Sequence, residues 1–526
     1  MSLPEKHFKE TKSLLDKIPA NTIAEWLLKE GYYPEQYVVP PSFIVDEFNL
    51  NANPYYSVSS TPNGDEFSPE KFDIRTISFP KSTLTERSFG AIHPKIYHDL
   101  VYYICKEWTF VIDHIFNTKT KIYSYSFPIP VSSRNEGGLS SLRSGRMIYE
   151  FLEMAENDLV AEGYQYKYLL KTDIKNFYPS IYTHSIAWAL HTKKTVRTSG
   201  NRTAFSQFLG LKLDKLCQYA NDGCTNGIPI GPAISDVIAE ILLSAVDRDC
   251  SEILKKENLD FVGVRYKDDY RFLCNSRGDA NKIIKCLQRV MKEYNLFLNE
   301  NKSDVKELPE GLFREWTAEY QQYSLRYAQK IKYRRFEKSL RGTLQVDQNH
   351  QGTGVIDRFL SELSTSKFRV KLDMSKRELL KSFSLLLMLK ERRPKSFPQI
   401  LAIIEKLLLD NEQDQEIKDH VNNALKLLID KYLKNIEEHQ YDLLWLSYFI
   451  KSHNLFTFSI PKKVKNRFIK SIRNNSNELF RGIPTDIKIF TTIKEAGKNS
   501  DLMKHLAVFN REKENEEKEN TEANKA

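Results

Sequence analysis

The chain's adjacent aspartates, Asp268 and Asp269, sit in Tyr266-Lys267-Asp268-Asp269, inside an apolar run of strand character. Phe261-Val262-Gly263-Val264-Arg265 precedes the motif and Tyr270-Arg271-Phe272-Leu273-Cys274 follows it, which predicts a hairpin with both carboxylates at its tip. Adjacent carboxylates repel unless a cation lies between them, and a divalent metal with oxygen ligands is the usual answer. About ninety-five residues upstream, Asp173 closes a second apolar run, Tyr168-Leu169-Leu170-Lys171-Thr172. One strand-end aspartate and a hairpin pair form the carboxylate set of a two-metal phosphoryl-transfer centre. Asp173 and Asp268 are expected to bridge two Mg2+ ions, with Asp269 completing the shell or positioning the hairpin. Taken singly, the pair is a solvated turn and Asp173 a helix cap.

Four further motifs suit the same chemistry. Tyr178, five residues past Asp173, is placed to lie beneath a nucleotide sugar and exclude a 2′-hydroxyl, or else is an aromatic of the core. The turn Asn226-Gly227-Ile228-Pro229-Ile230-Gly231-Pro232 opens a helix and lets the backbone approach a ligand at Gly231. Lys302 follows Leu298-Asn299 and is a candidate acid for departing pyrophosphate, although a surface lysine is commoner. Lys81 and Arg87 flank a turn after a strand and suit a triphosphate clamp. Lys330-Ile331-Lys332-Tyr333-Arg334-Arg335 interleaves bases with an aromatic, as a nucleic-acid backbone site or an exposed helix face would.

The elements that must position these residues follow from the pattern. At 526 residues the chain exceeds one core, and two to four domains are expected. Residues 1–75 combine a helical opening with the Pro/Tyr-rich Gly31-Tyr32-Tyr33-Pro34…Pro40-Pro41, an extended, movable segment along a neighbouring domain. A mobile loop is expected from Val131 to Arg146. Between Leu169 and Leu308 the order is strand, helix, helix (Ala233 to Asp247), hairpin, helix (Ala280 to Tyr294) and a last strand at Leu296-Phe297-Leu298. That is an α+β layout with helices on one face of an antiparallel sheet. After Arg314, apolar residues recur at three- and four-residue steps around Leu385, Ile400, Val421 and Leu443, predicting a stacked helical array. The tail 506–526 is expected to be disordered, since from Asn510 to Ala526 it is Glu/Lys/Asn-rich with almost nothing apolar.

Formal charge is +9, a mild bias toward a polyanionic partner. The six cysteines form no Cys-x-x-Cys pair, which leaves zinc and redox readings weak. No stretch reaches the ~20 apolar residues that cross a bilayer, no signal peptide is visible, and a cytoplasmic location with no membrane partner is expected.

In order and spacing the motifs resemble the reverse transcriptases. Asp173 with Tyr178, the Gly227–Ser235 turn, Tyr266-Lys267-Asp268-Asp269, and Leu298-Asn299 with Lys302 match the palm motifs; Lys81, Arg87 and His93-Pro94 look like the fingers. Finer details are similar to the bacterial abortive-infection and phage-defence branch: Gly31-Tyr32-Tyr33-Pro34, Phe177-Tyr178-Pro179-Ser180-Ile181-Tyr182-Thr183-His184 and Thr225–Pro232.

The resemblance implies an α+β chain with an N-terminal extension (1–75), fingers (76–165), palm (166–313) and an all-α helical-repeat, HEAT-like domain (314–505) in place of a thumb. It also implies Mg2+-dependent DNA synthesis from dNTPs in antiphage defence, in several members primed from a tyrosine and untemplated, by homo-oligomers. Tyr32, Tyr33 and Tyr37 are the priming candidates. Most reverse transcriptases carry glutamine where this chain has Ile230; that amide helps read the nucleotide against a template, isoleucine cannot hydrogen-bond there, and weak or absent template reading is expected. Single-stranded DNA is then the product. The alternatives are templated synthesis on a dedicated noncoding RNA, or a non-catalytic nucleic-acid scaffold. No RNase H or endonuclease signature accompanies the motifs.

Overall fold

A computed structural model describes residues 1–62, 64–81, 85–131, 137–139, 144–326, 328, 330–364, 371–499 and 501–506, with backbone alone at 144–151, 371 and 499. The loop expected at 131–146 falls largely outside these residues, as does the tail beyond Leu506.

Helices α1 (Leu3–Leu15) and α2 (Ala20–Leu28) open the chain. Two short strands, β1 (Ser59–Thr61) and β2 (Gly64–Glu66), precede the hairpin β3 (Arg75–Pro80) and β4 (Glu86–Ala91). Helices α3 (Pro94–Lys106) and α4 (Trp108–Ile115) follow, then strand β5 (Ile122–Ser124) and helix α5 (Ser144–Glu162). The central region holds β6 (Tyr168–Asp173), α6 (Phe177–Ser180), α7 (His184–His191), α8 (Lys193–Arg197), α9 (Leu209–Ala220) and α10 (Ala233–Lys256). It continues with β7 (Phe261–Tyr266), β8 (Asp269–Cys274), α11 (Arg277–Glu293) and β9 (Asp304–Glu307).

These strands form a five-stranded sheet in the order β5-β7-β8-β6-β9, antiparallel except for the β5–β7 edge. Three differences from the sequence reading are physical. The run Leu296-Phe297-Leu298 is not a strand: only Leu298 bridges, to Ile174, Phe297 is 54% exposed, and the pairing strand begins at Asp304. A parallel strand, β5, joins the edge. And the second sheet face is covered, because Ala155 and Leu159 of α5 pack with Leu169, Val264 and Leu273. Strand alternation explains this last point: Tyr270, Phe272 and Cys274 join the main core, whereas Leu273 points the other way.

Past Arg314 the regular elements of the described residues are helices and the two-residue strands at Lys330–Ile331 and Lys371–Leu372. The helices are α12 (Glu315–Gln321), α13 (Tyr333–Asn349), α14 (Val355–Leu363), α15 (Lys376–Arg392), α16 (Phe397–Asp410), α17 (Gln415–Lys434), α18 (Gln440–Ser452), α19 (Arg467–Asn474), α20 (Ile493–Asn499) and α21 (Leu502–His505). Consecutive helices pack against each other as α13 with α14, α15 with α16 and α17 with α18. Beyond α18 the helices are short and separated by irregular chain.

The Pro/Tyr-rich segment is not the movable strap its prolines suggest. It is wedged between the sheet region and the C-terminal helices. Tyr33 Oη donates to Ile489 O (2.5 Å), Tyr441 Oη to Tyr37 O (2.6 Å) and Trp445 Nε1 to Val38 O (3.3 Å). Trp445 is wholly buried, and one continuous core runs from Phe8 to Leu506.

Candidate active site

Strand register places the carboxylates. Tyr168 to Asp173 pair antiparallel with Cys274 to Asp269, which sets Asp173 directly opposite Asp269. Tyr266 pairs with Asp269, so Lys267 and Asp268 form the two-residue turn, and Lys267 takes the left-handed conformation (φ 51°). The turn is held on three sides: Ile174 N–H donates to Asp268 O (3.1 Å), Lys267 N–H to Ser126 Oγ (2.8 Å), and Arg265 Nη1 to Lys267 O (3.2 Å).

Beneath the hairpin lies an ion cluster that the sequence reading did not pick out. The wholly buried Arg265 guanidinium grips Glu240 with two bonds of 3.0 Å and Asp247 at 2.8 Å. Ser126 Oγ donates to Glu240 (2.8 Å) and Tyr270 Oη to Asp247 (2.9 Å). Burial pushes Asp247 up to about 6 despite Arg265. A signal was present: an arginine inside an apolar strand, and two acids seven residues apart on one helix face.

The three aspartates impose on one another. Burial, then Asp269 and Asp173, push Asp268 up to about 7; burial and then Asp173 raise Asp269. Asp173 is 4% exposed; one carboxylate oxygen receives the Lys302 ammonium and the other is buried with no hydrogen-bond partner. Burial opposes the charge on Lys302, but its bond to Asp173 and the attraction of Asp173, Asp269 and Asp268 together raise its pKa. Orphaned carboxylate oxygen, mutual repulsion and all-oxygen donors fit a hard divalent cation. Among the described residues no three His, Cys, Asp or Glu side chains are drawn together closely enough to hold an ion as they stand. Lys302 supplies the positive charge in this arrangement.

The other candidates are distributed around this centre. Tyr178 is 8% exposed, its hydroxyl donates to Asp236 of α10, and Asp268 is among the charges that raise its pKa after burial. Gly231 has φ +123°, and a Cβ there would meet Pro34 Cγ at 2.7 Å, so the N-terminal segment backs this turn. Ala233 N–H donates to Gly31 O (2.7 Å), and Gly90 N–H to Ile230 O (2.9 Å) ties the turn to β4. Lys81 and Arg87 are both exposed near the tip of the β3–β4 hairpin. Tyr32 and Tyr33 are buried with their hydroxyls bonded to Ile92 O and Ile489 O, which corrects the expectation of a free, movable pair. Tyr37 is partly exposed and close enough to act electrostatically on Tyr266. Lys332, Arg334 and Arg335 are exposed near the start of α13.

Residues 114–333 match the family model of reverse transcriptase (RNA-dependent DNA polymerase). That span contains every one of the aspartates above, together with Lys302. The chain is also 26% identical over 157 residues to the retron Ec73 reverse transcriptase of Escherichia coli, across 29% of this chain and 48% of the relative. It therefore spans about half the length of the curated relative it matches.

Among solved structures, telomerase from Candida albicans with a fragment of telomeric RNA is similar at 13% identity, covering 74% of this chain and 66% of that one (TM-score 0.29). Apo telomerase from Candida tropicalis is similar at 11% identity, covering 74% and 71% (TM-score 0.31). No helix of the described residues is long and apolar enough to cross a membrane.

Proposed function

We propose that the chain is a DNA polymerase of reverse-transcriptase type acting in antiphage defence. The observation that carries this is the register that faces Asp173 with Asp269, with Asp268 at the turn, inside the segment matching the family model. In this reading residues 76–165 are fingers, 166–313 a palm and 314–505 a HEAT-like helical domain replacing a thumb. Asp173, Asp268 and Asp269 would hold two Mg2+ ions, which when bound supply activation of a hydroxyl nucleophile and stabilisation of triphosphate charge. Lys302, already against Asp173, is the candidate proton donor to pyrophosphate. Tyr178 is the sugar gate, Gly231 lets the backbone approach the nucleotide, and Lys81 and Arg87 are the triphosphate clamp.

Ile230 offers no side-chain amide, which supports synthesis of single-stranded DNA without template reading, and Tyr37 is the remaining candidate primer of its segment. A second reading, templated synthesis on a noncoding RNA, draws on the RNA-dependent character of the matched family. Homo-oligomers belong to the resemblance.

The test is incorporation of labelled dNTPs by the full chain. Asp268→Asn is expected to reduce it by about 10³-fold or more while circular dichroism stays unchanged. Undiminished synthesis by the variant would refute the assignment of Asp268, and no incorporation by the natural chain would favour a binding scaffold. Sequencing the product and extracting bound RNA separates templated from untemplated synthesis, and mass spectrometry for a Tyr37–nucleotide adduct reports priming.

A further inference from the structure

Asp236 has no place in the metal chemistry, yet it joins two parts of the site. It lies in the first turn of α10, 8% exposed, where the helix N-terminus favours a carboxylate. One oxygen accepts the Tyr178 hydroxyl, and both oxygens lie near Lys267 Nζ, at 3.3 and 3.2 Å. Lys267 is the turn residue immediately before Asp268. Glu35, itself 6% exposed, adds a second negative charge toward the Lys267 ammonium from the N-terminal segment. The gate ring and the hairpin turn are thus tethered to the same carboxylate.

A steric gate works only if its ring cannot yield. Adding one hydroxyl to a substrate is rejected weakly by a wall that can shift, and an aromatic held only by packing swings about its side-chain torsions. A hydroxyl bonded to a buried charge removes that freedom, since such a bond is among the stronger ones in a protein interior. We propose that Asp236 is the positioning residue that fixes Tyr178 and Lys267, so that selection of deoxyribose over ribose depends on the first turn of α10. The inference rests on the polymerase reading given above.

The experiment measures kcat/KM for deoxynucleoside and ribonucleoside triphosphates with the full chain. Tyr178→Phe keeps the ring and removes only the tether; Asp236→Ala removes both tethers. Each is expected to lower the deoxy/ribo ratio, by about tenfold for Asp236→Ala, mainly through a lower KM for the ribonucleotide. Asp236→Asn, which still accepts the hydroxyl, should retain most of the ratio. Tyr178→Ala with Asp236→Ala should be no less selective than Tyr178→Ala alone, because the carboxylate acts through the ring.

A merely structural role would lower kcat for both nucleotides alike and leave the ratio unmoved. An unchanged ratio in Tyr178→Phe and Asp236→Ala, with the natural chain making DNA, overturns this inference alone. If Asp236→Ala does not fold, the ratio for Tyr178→Phe decides. A natural chain that incorporates no nucleotide overturns the polymerase reading and this inference with it.

Discussion

Asp268 is an acid held near neutrality by burial and by its two aspartate neighbours, about 7 against an ordinary 3.8. Its folded value lies above its unfolded one, so the folded chain binds that proton more tightly. The resulting contribution to stability is complete below about pH 3.8 and is lost as the pH rises through about 7. In chelator, the protein should therefore lose stability through this group between about pH 4 and 7. Asp268→Asn should flatten that slope and stabilise the chelated protein at pH 8 on the order of 1 kcal/mol, after solvent screening. Added Mg2+ should raise the melting temperature of the natural chain at pH 8 and leave that of the variant nearly unmoved. Thermal melts across this pH range check both statements; an equal slope in the two proteins would remove the like-charge account.

The hairpin that carries Asp268 is positioned from below by α10. Glu240→Ala leaves the Arg265 guanidinium buried with one partner fewer, at a cost of about 3–5 kcal/mol. Glu240→Gln keeps one acceptor and should cost less, and denaturant melts of the two variants test the order. How far such an element is legible depends on whether its partners are local. Asp173, Asp268 and Asp269 could be read because a strand end and a two-residue turn fix side-chain direction with a period of two. Leu296-Phe297-Leu298 misled because alternation predicts a strand only where a partner edge is free; there Asn299 N–H bonds to Asp173 O (2.7 Å) and pairing ends. Strand β5, at three residues, is too short to announce itself. Tyr32 and Tyr33 were misplaced because their hydroxyl partners lie 60 and 456 positions away, beyond the reach of any local rule.

At the scale of the molecule, segment 31–43 is the joint between its two ends. Its outer side meets Tyr441 and Trp445 of α18, while Gly31 and Pro34 back the turn at Gly231 and Glu35 faces Lys267. Loosening α18 should therefore reach the nucleotide site without touching it. Trp445→Ala empties a wholly buried position and removes the bond to Val38 O, at about 3–5 kcal/mol. Leu425→Ala, in α17 and also wholly buried, should cost a comparable ~2–5 kcal/mol away from the segment. Hydrogen exchange should quicken at Val38 and Phe43, and at Ala233 whose N–H bonds to Gly31 O, in the first variant and far less in the second. Nucleotide incorporation, measured where both variants remain folded, should fall in Trp445→Ala and hold in Leu425→Ala. Equal losses in the two would mean that the C-terminal helices contribute only global stability and that the joint transmits nothing to the site.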